Sequence, residues 1–204
     1  MLTIYGRLNS INVQKVVWAA GEVGQAFTRI DAGAAFGVNT TPEYHAKNPN
    51  GLVPLLEDGA LCVWESNAIV RYLAAQYGHG TLWDADAGQR SLSDRWMDWQ
   101  LGDFYPAMAN AFMGLVRTPE DKRDATAIEV SREKTELRMA LLDAHLAANT
   151  YLGGDAFGVG DIAMGPPIHR WLHMPIKREP RPHVQRWYEL IAARPVRKPR
   201  SSCR

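Results

Sequence analysis

Apolar residues change their spacing once along this chain. Up to about residue 78 they fall in short runs alternating with one-faced helices; past residue 88 they keep a helical period almost throughout. LTIYG, residues 2 to 6, reads as a strand ended by glycine, and the loop RLNSI leads into a helix whose buried stripe is Val13, Val16, Val17, Ala20 and Val23. Ala26 to Asp31 reads as a second strand. Residues 32 to 51 are rich in Gly, Asn and Pro, with room for one short helix at Pro42 to His45. VPLLE and ALCVWE flank Asp58-Gly59, a strong hairpin signal. Ser66 is placed as N-cap of a helix through Ile69, Val70, Leu73 and Tyr77 that Gly78 stops.

The order β-α-β-α-β-β-α predicts a small mixed sheet with helices on both faces, residues 1 to 78. Residues 79 to 88 have the composition of a linker. Residues 89 to 204 read as all-helical: one long helix from 89 to 116, kinked at Pro106; a second opened by Thr118-Pro119-Glu120 and running to about Ala148; a third after Gly160-Asp161; and a last from Pro182 to Ala193.

Composition narrows the partners. Of 204 residues, 46% are hydrophobic and 22% charged, enough for a sizeable core. A net charge of +1 gives no electrostatic case for nucleic acid or an anionic membrane. Two cysteines, Cys62 and Cys203, cannot build a disulfide framework and point to a reducing, cytoplasmic setting. The first apolar stretches are broken by Arg7, Asn9, Asn12 and Lys15, unlike a signal peptide, and no run is long enough for a bilayer.

The chemistry gathers around Val53-Pro54 and Glu65-Ser66. Proline cannot donate to a β ladder, so Pro54 belongs at a strand entrance, where an X-Pro bond can be held cis. Val53 can then offer its N–H and C=O to an extended peptide. The start of the Ser66 helix presents orphan N–H groups and a positive dipole end that suit a carboxylate, and Glu65 beside it can receive an ammonium. A ligand with a peptide-like middle and a zwitterionic amino-acid end fits, and glutathione is one.

These residues, in this element order, resemble the glutathione transferase superfamily over nearly the whole chain. The resemblance implies a thioredoxin-like α/β N-terminal domain, an all-α helical-bundle C-terminal domain and a homodimer. It also implies cis geometry at Pro54, pairing of Val53 with the cysteinyl part of glutathione, and γ-glutamyl contacts from Glu65 and Ser66. The family's thiol-activating residue lies in the loop before the first helix, here Arg7-Leu8-Asn9-Ser10-Ile11-Asn12, so Ser10 and Asn12 are the catalytic candidates. The S-x-N spacing is similar to bacterial theta-like and nu-like members, and no cysteine occurs in this loop. The thiolate is the nucleophile, and lowering a thiol pKa from ~8.5 by ~2 units takes ~3 kcal/mol of preferential stabilisation.

Two departures stand out. Many relatives carry Lys or Arg just before the Val-Pro, where this chain has Leu52; Lys47, His45 or Asn50 can take over the glycyl carboxylate, with Asn50 the site candidate. The family's Ser/Thr-x-x-Asp cap appears as Gly158-Val159-Gly160-Asp161, without its hydroxyl. His169 and His173 have a metal-compatible spacing but no further ligand motif, so no metal is expected. Trp96, Trp99, Phe104, Met108 and Phe112 read as core, with one or two facing a second substrate, and Cys62 as an inert buried thiol. The expected activity is attack of the glutathione thiolate on a small hydrophobic electrophile held against the helical domain. The alternatives are a glutathione-dependent disulfide reductase and a non-catalytic binding or assembly module of the same fold.

Overall fold

The structure, a computed structural model, describes residues 1–195; the rest of the basic tail, expected to be frayed, and Cys203 lie outside the described residues. Two compact units make up the chain: Met1–Ala87 joined by Arg194, and Gly88–Ala193. Among the described residues no helix is long and apolar enough to cross a membrane.

The first unit holds a four-stranded sheet of β1 (Leu2–Tyr5), β2 (Phe27–Ile30), β3 (Leu55–Asp58) and β4 (Leu61–Trp64), in the order β2-β1-β3-β4. Leu2 and Ile4 are buried while Thr3 and Tyr5 are half-buried, as the period-2 pattern requires. A helix returns the chain to the same end, so β1 and β2 pair in parallel, Leu2 opposite Phe27. β3 pairs antiparallel with both β1 and β4, and Gly59, at φ +61°, lies in the tight turn between Asp58 and Leu61. Helices α1 (Ile11–Glu22) and α3 (Ser66–Tyr77) pack on each other, and α2 (Pro42–His45) is a single turn capped by Thr41. Of the expected α1 stripe, Val13, Val16 and Ala20 are buried, whereas Val17 and Val23 are half-buried. This is the mixed sheet that the element order predicts, in the thioredoxin-like arrangement that the family resemblance implies.

The second unit is all helix: α4 (Ala87–Trp99), α5 (Tyr105–Phe112), α6 (Ala125–Ala148), α7 (Val159–His173) and α8 (Pro182–Ala192). The expected long first helix is present as a continuous run with two widened π turns, Gln100–Phe104 and Met113–Arg117. The first ends just before Pro106, which has no N–H for the carbonyl four residues back. Trp96, Phe104, Met108 and Phe112 are buried as expected, and Trp99 is half-buried.

The start of α6 differs from expectation. Thr118-Pro119-Glu120 leads only into a 3-10 turn, Glu120–Lys122, and α6 begins at Ala125. Thr118 faces backward: its N–H and hydroxyl both donate to the carbonyl of Met113 (2.9 and 3.0 Å), closing the previous helical segment. The cap is Asp124, whose carboxylate accepts from Ala127 N (2.9 Å).

The glycine that replaces the capping hydroxyl of α7 has a structural counterpart. Asp161 is fully buried and accepts from the N–H of Gly158 (2.9 Å), the N–H of Leu152 (3.0 Å) and the indole of Trp187 (2.7 Å). Burial pushes its carboxyl up to about 6 despite these donors. An N-cap side chain ordinarily accepts from the second or third helical N–H. Here Ser93 of α4 does so from outside: its Oγ accepts from Gly160 N (2.9 Å). A Cβ on Gly158 would stand 2.6 Å from that same Oγ, so the distant serine and the glycine require each other.

Ser93→Ala removes the cap oxygen and should lower unfolding stability by ~1 kcal/mol. Gly158→Ser alone should also destabilise, by crowding, while Gly158→Ser with Ser93→Ala should recover most of the loss. Urea denaturation of the three variants checks this; additive losses in the double variant would show that the two positions are independent.

Candidate active site

The hairpin register brings two of the candidate motifs together. Leu55 of β3 pairs with Trp64 of β4. Pro54 precedes one and Glu65 follows the other, so the two motifs emerge side by side at one end of the sheet. The Val53–Pro54 bond is cis, as expected.

The loop before it is held by side chains. Leu52 itself is exposed, yet its carbonyl accepts from the Tyr44 hydroxyl (2.6 Å) and from Asn48 Nδ2 (2.8 Å), with Asn48 fully buried. Asn48 Oδ1 takes the N–H of Asn50 (3.1 Å), and Asn39 holds the carbonyl of Gly51 (2.6 Å). This loop has no sheet or helix to satisfy its backbone, so the asparagines and the tyrosine do so. Val53 then lies against Gly6: a Cβ there would meet Val53 Cβ at 3.3 Å and Val13 of α1 at 2.3 Å. Gly6 also has φ +149°, so only glycine lets β1 pass between Val53 and α1.

The starts of α1 and α3 meet through side chains. Ser66 is buried, and its hydroxyl donates to Asn12 Oδ1 (3.2 Å). Ser66, expected as the cap of α3, is instead its first helical residue; Glu65 occupies the cap position, and its carbonyl accepts from Ile69 N (2.9 Å). The Ser66 hydroxyl is thereby spent on Asn12 rather than on its own helix. Glu65 has φ +69°, a strained conformation for a residue with a Cβ, and it is exposed. Ser10 is the cap residue of α1 but its side chain makes no capping bond. Asn50 is exposed, as is His45. Lys47 is engaged with Glu57 and with the face of Tyr5.

Beneath this meeting lies a residue that the sequence pattern passed over. Lys15 is fully buried, with Nζ 3.2 Å from Asn67 Oδ1 and 3.5 Å from Ser66 Oγ. Burial lowers its ammonium to about 7, and the Glu65 carboxylate pulls it partly back up. The available signal was its position: Lys15 lies four residues past Ile11 and directly before Val16, on the face that the apolar stripe buries.

Other expectations on side chains resolve simply. Cys62, expected to be buried, is half-buried, and Trp64 beside Glu65 is exposed, because β4 is the edge strand of the sheet. The rings of His169 and His173 lie 4.1 Å apart at a tilt of 35°, with His169 Nδ1 bonded to the Tyr188 hydroxyl (2.5 Å) and His173 Nδ1 to the His169 carbonyl.

Comparison with known proteins agrees over both units. Residues 1–75 match the glutathione S-transferase N-terminal domain and residues 104–195 the C-terminal domain. The chain is 47% identical over 198 residues to glutathione S-transferase GstB of Escherichia coli, covering 96% of this chain and 95% of that protein. It is 33% identical over 208 residues to glutathione S-transferase 3 of Zea mays, covering 96% and 90%. Among solved structures it superposes with TM-score 0.93 and 49% identity on the theta class glutathione S-transferase of Xanthomonas axonopodis pv. citri with glutathione bound, covering 96% of this chain and 94% of that one. This chain belongs to the glutathione S-transferase family.

Two outcomes follow from the site's energetics. Glu65→Gly removes a side chain from a positive-φ position, so melting temperature should hold or rise, the gain limited to ~1 kcal/mol by the looser unfolded chain; a clear fall in a thermal scan would refute the strain. The native state gives up the Lys15 proton near pH 7, while the unfolded chain keeps it to about 10.5. Between those values the unfolded state binds more protons, so stability should rise with pH, by on the order of 5 kcal/mol over the full window. Subtracting Lys15→Met denaturation free energies from wild type between pH 7 and 9 should expose this slope, and a flat difference would contradict it.

Proposed function

We propose that this protein binds glutathione at the end of its sheet and activates the thiol for transfer to a small hydrophobic electrophile. The hydrogen bond between Ser66 and Asn12 carries the proposal, because it draws the thiol-activating loop of α1 to the amino-acid-binding start of α3. Val53 offers its backbone to the cysteinyl unit. Glu65 receives the γ-glutamyl ammonium, and the first backbone N–H groups of α3, that of Ser66 among them, receive its carboxylate. Asn50, exposed beside the Val53 loop, takes the glycyl carboxylate in place of the basic residue absent at Leu52.

The sulfur falls to Ser10 and Asn12. The Ser10 hydroxyl is not used for capping, and Asn12, with its Oδ1 bonded to Ser66, keeps the two N–H donors of its amide. Donors near a thiolate at a helix start lower its pKa. The protein works in the cytoplasm as a homodimer. Exposed Leu101, Met113 and Val116, and Leu137 with Leu141 on α6, support association, since large apolar side chains left in water favour burial.

Ser10→Ala and Asn12→Ala should each raise the pKa of bound glutathione, read by thiolate absorbance. Glu65→Ala should weaken glutathione binding by ~1.5 to 3 kcal/mol in calorimetry. Unchanged titration curves in both loop variants would remove their assignment. Assays with an aryl halide and with a small disulfide separate conjugation from disulfide reduction.

A further inference from the structure

We propose that Lys15 is a positioning residue of the glutathione site: a buried cation that fixes Asn12 and Ser66 and supplies positive charge beneath the γ-glutamyl end. This rests on the glutathione roles proposed above for Asn12, Glu65 and Ser66, and deepens them.

The placement is costly without a purpose. An ammonium removed from water needs oxygen partners, and a residue of similar length without charge, such as Met, would pack on this face at no such cost. The chain nevertheless puts Lys15, with no exposed surface, among apolar Ile11, Val16 and Ala19. Its Nζ reaches Asn67 Oδ1 at 3.2 Å and Ser66 Oγ at 3.5 Å. Ser66 then donates to Asn12 Oδ1 at 3.2 Å. A hydroxyl that accepts from an ammonium must point its own proton elsewhere, so Lys15 sets the direction of the Ser66 proton and, through it, the orientation of the Asn12 amide. Glu65, the charged group that acts on Lys15, begins the same helix. Three of the residues assigned to glutathione are therefore coupled to one buried charge: Ser66 by direct contact, Asn12 through Ser66, and Glu65 through its field.

This arrangement also predicts a proton count. Burial brings the Lys15 ammonium down to about 7, so it titrates close to neutral pH. An incoming carboxylate at the start of α3 favours the charged form, so binding takes up a proton. S-methylglutathione is the suitable probe, because its sulfur cannot titrate. Calorimetry at pH 7 in buffers of different ionisation enthalpy should show uptake of a fraction of a proton by wild type. Lys15→Met should lose that uptake and bind about tenfold more weakly at pH 6.5, the gap narrowing by pH 8.5, where the wild-type residue is neutral before binding. Lys15→Arg should restore affinity in part and leave it independent of pH over this range. As a check independent of variants, the Lys15 side-chain NMR signal of wild type should titrate at higher pH once the probe is bound. Wild type that fails to bind S-methylglutathione overturns the glutathione site and this proposal together. Wild type that binds, with Lys15→Met matching its affinity and pH profile or with the NMR titration unmoved, overturns this proposal alone.

Discussion

An ammonium with no exposed surface needs oxygen partners, and in the first unit Lys15 of α1 finds two of them, Ser66 Oγ and Asn67 Oδ1, at the start of α3. Lys15 extends from α1 to Ser66 and Asn67 of α3, and Ser66 closes the circuit to Asn12 of α1. Hydrophobic contact between α1 and α3 would allow the helices to slide; a polar contact with fixed donors and acceptors allows little. The sheet does the rest. Because Leu55 pairs with Trp64, the strand entrance at Pro54 and the helix entrance at Glu65 arrive together, and neither can shift without breaking the hairpin register.

The same region concentrates what a fold otherwise avoids: a buried charge, a glutamate at positive φ, and a loop whose carbonyls depend on buried side chains. Such features persist where the surroundings over-determine them, and they cluster at working sites. The second unit has a buried carboxyl of its own, Asp161 at the start of α7, but among its described residues none with a side chain sits at positive φ at a helix start. Asp124 caps α6 in the ordinary way, and α7 is capped by a serine from α4.

How much of this could be read beforehand depended on range. The hairpin at Asp58-Gly59, the strand entrance at Pro54 and the stop at Gly78 are written in neighbouring residues, and they stand where the sequence puts them. Ser66 and Thr118 were misread for one reason. Each has the side chain of a cap, but a longer-range or backward partner claims its hydroxyl: Asn12 for Ser66, the Met113 carbonyl for Thr118. Local propensity names the residue type suited to a helix start; it does not say which partner wins. Lys15 was missed because a periodicity count treats a charged residue as an interruption of the stripe. Only the packing shows that α3 brings oxygens to meet it.

Ser93 and Gly158 carry a consequence for descent. A hydroxyl on the neighbouring helix and a hydroxyl at the cap are two solutions to one vacancy, and the space admits one of them. A lineage moving from this arrangement toward a serine at 158 has an open route through loss of Ser93 first, at the modest cost of a bare helix start. In the opposite order it meets a collision. The two positions are thus tied in the order of their replacement, and each residue's tolerance for change is recorded in the other.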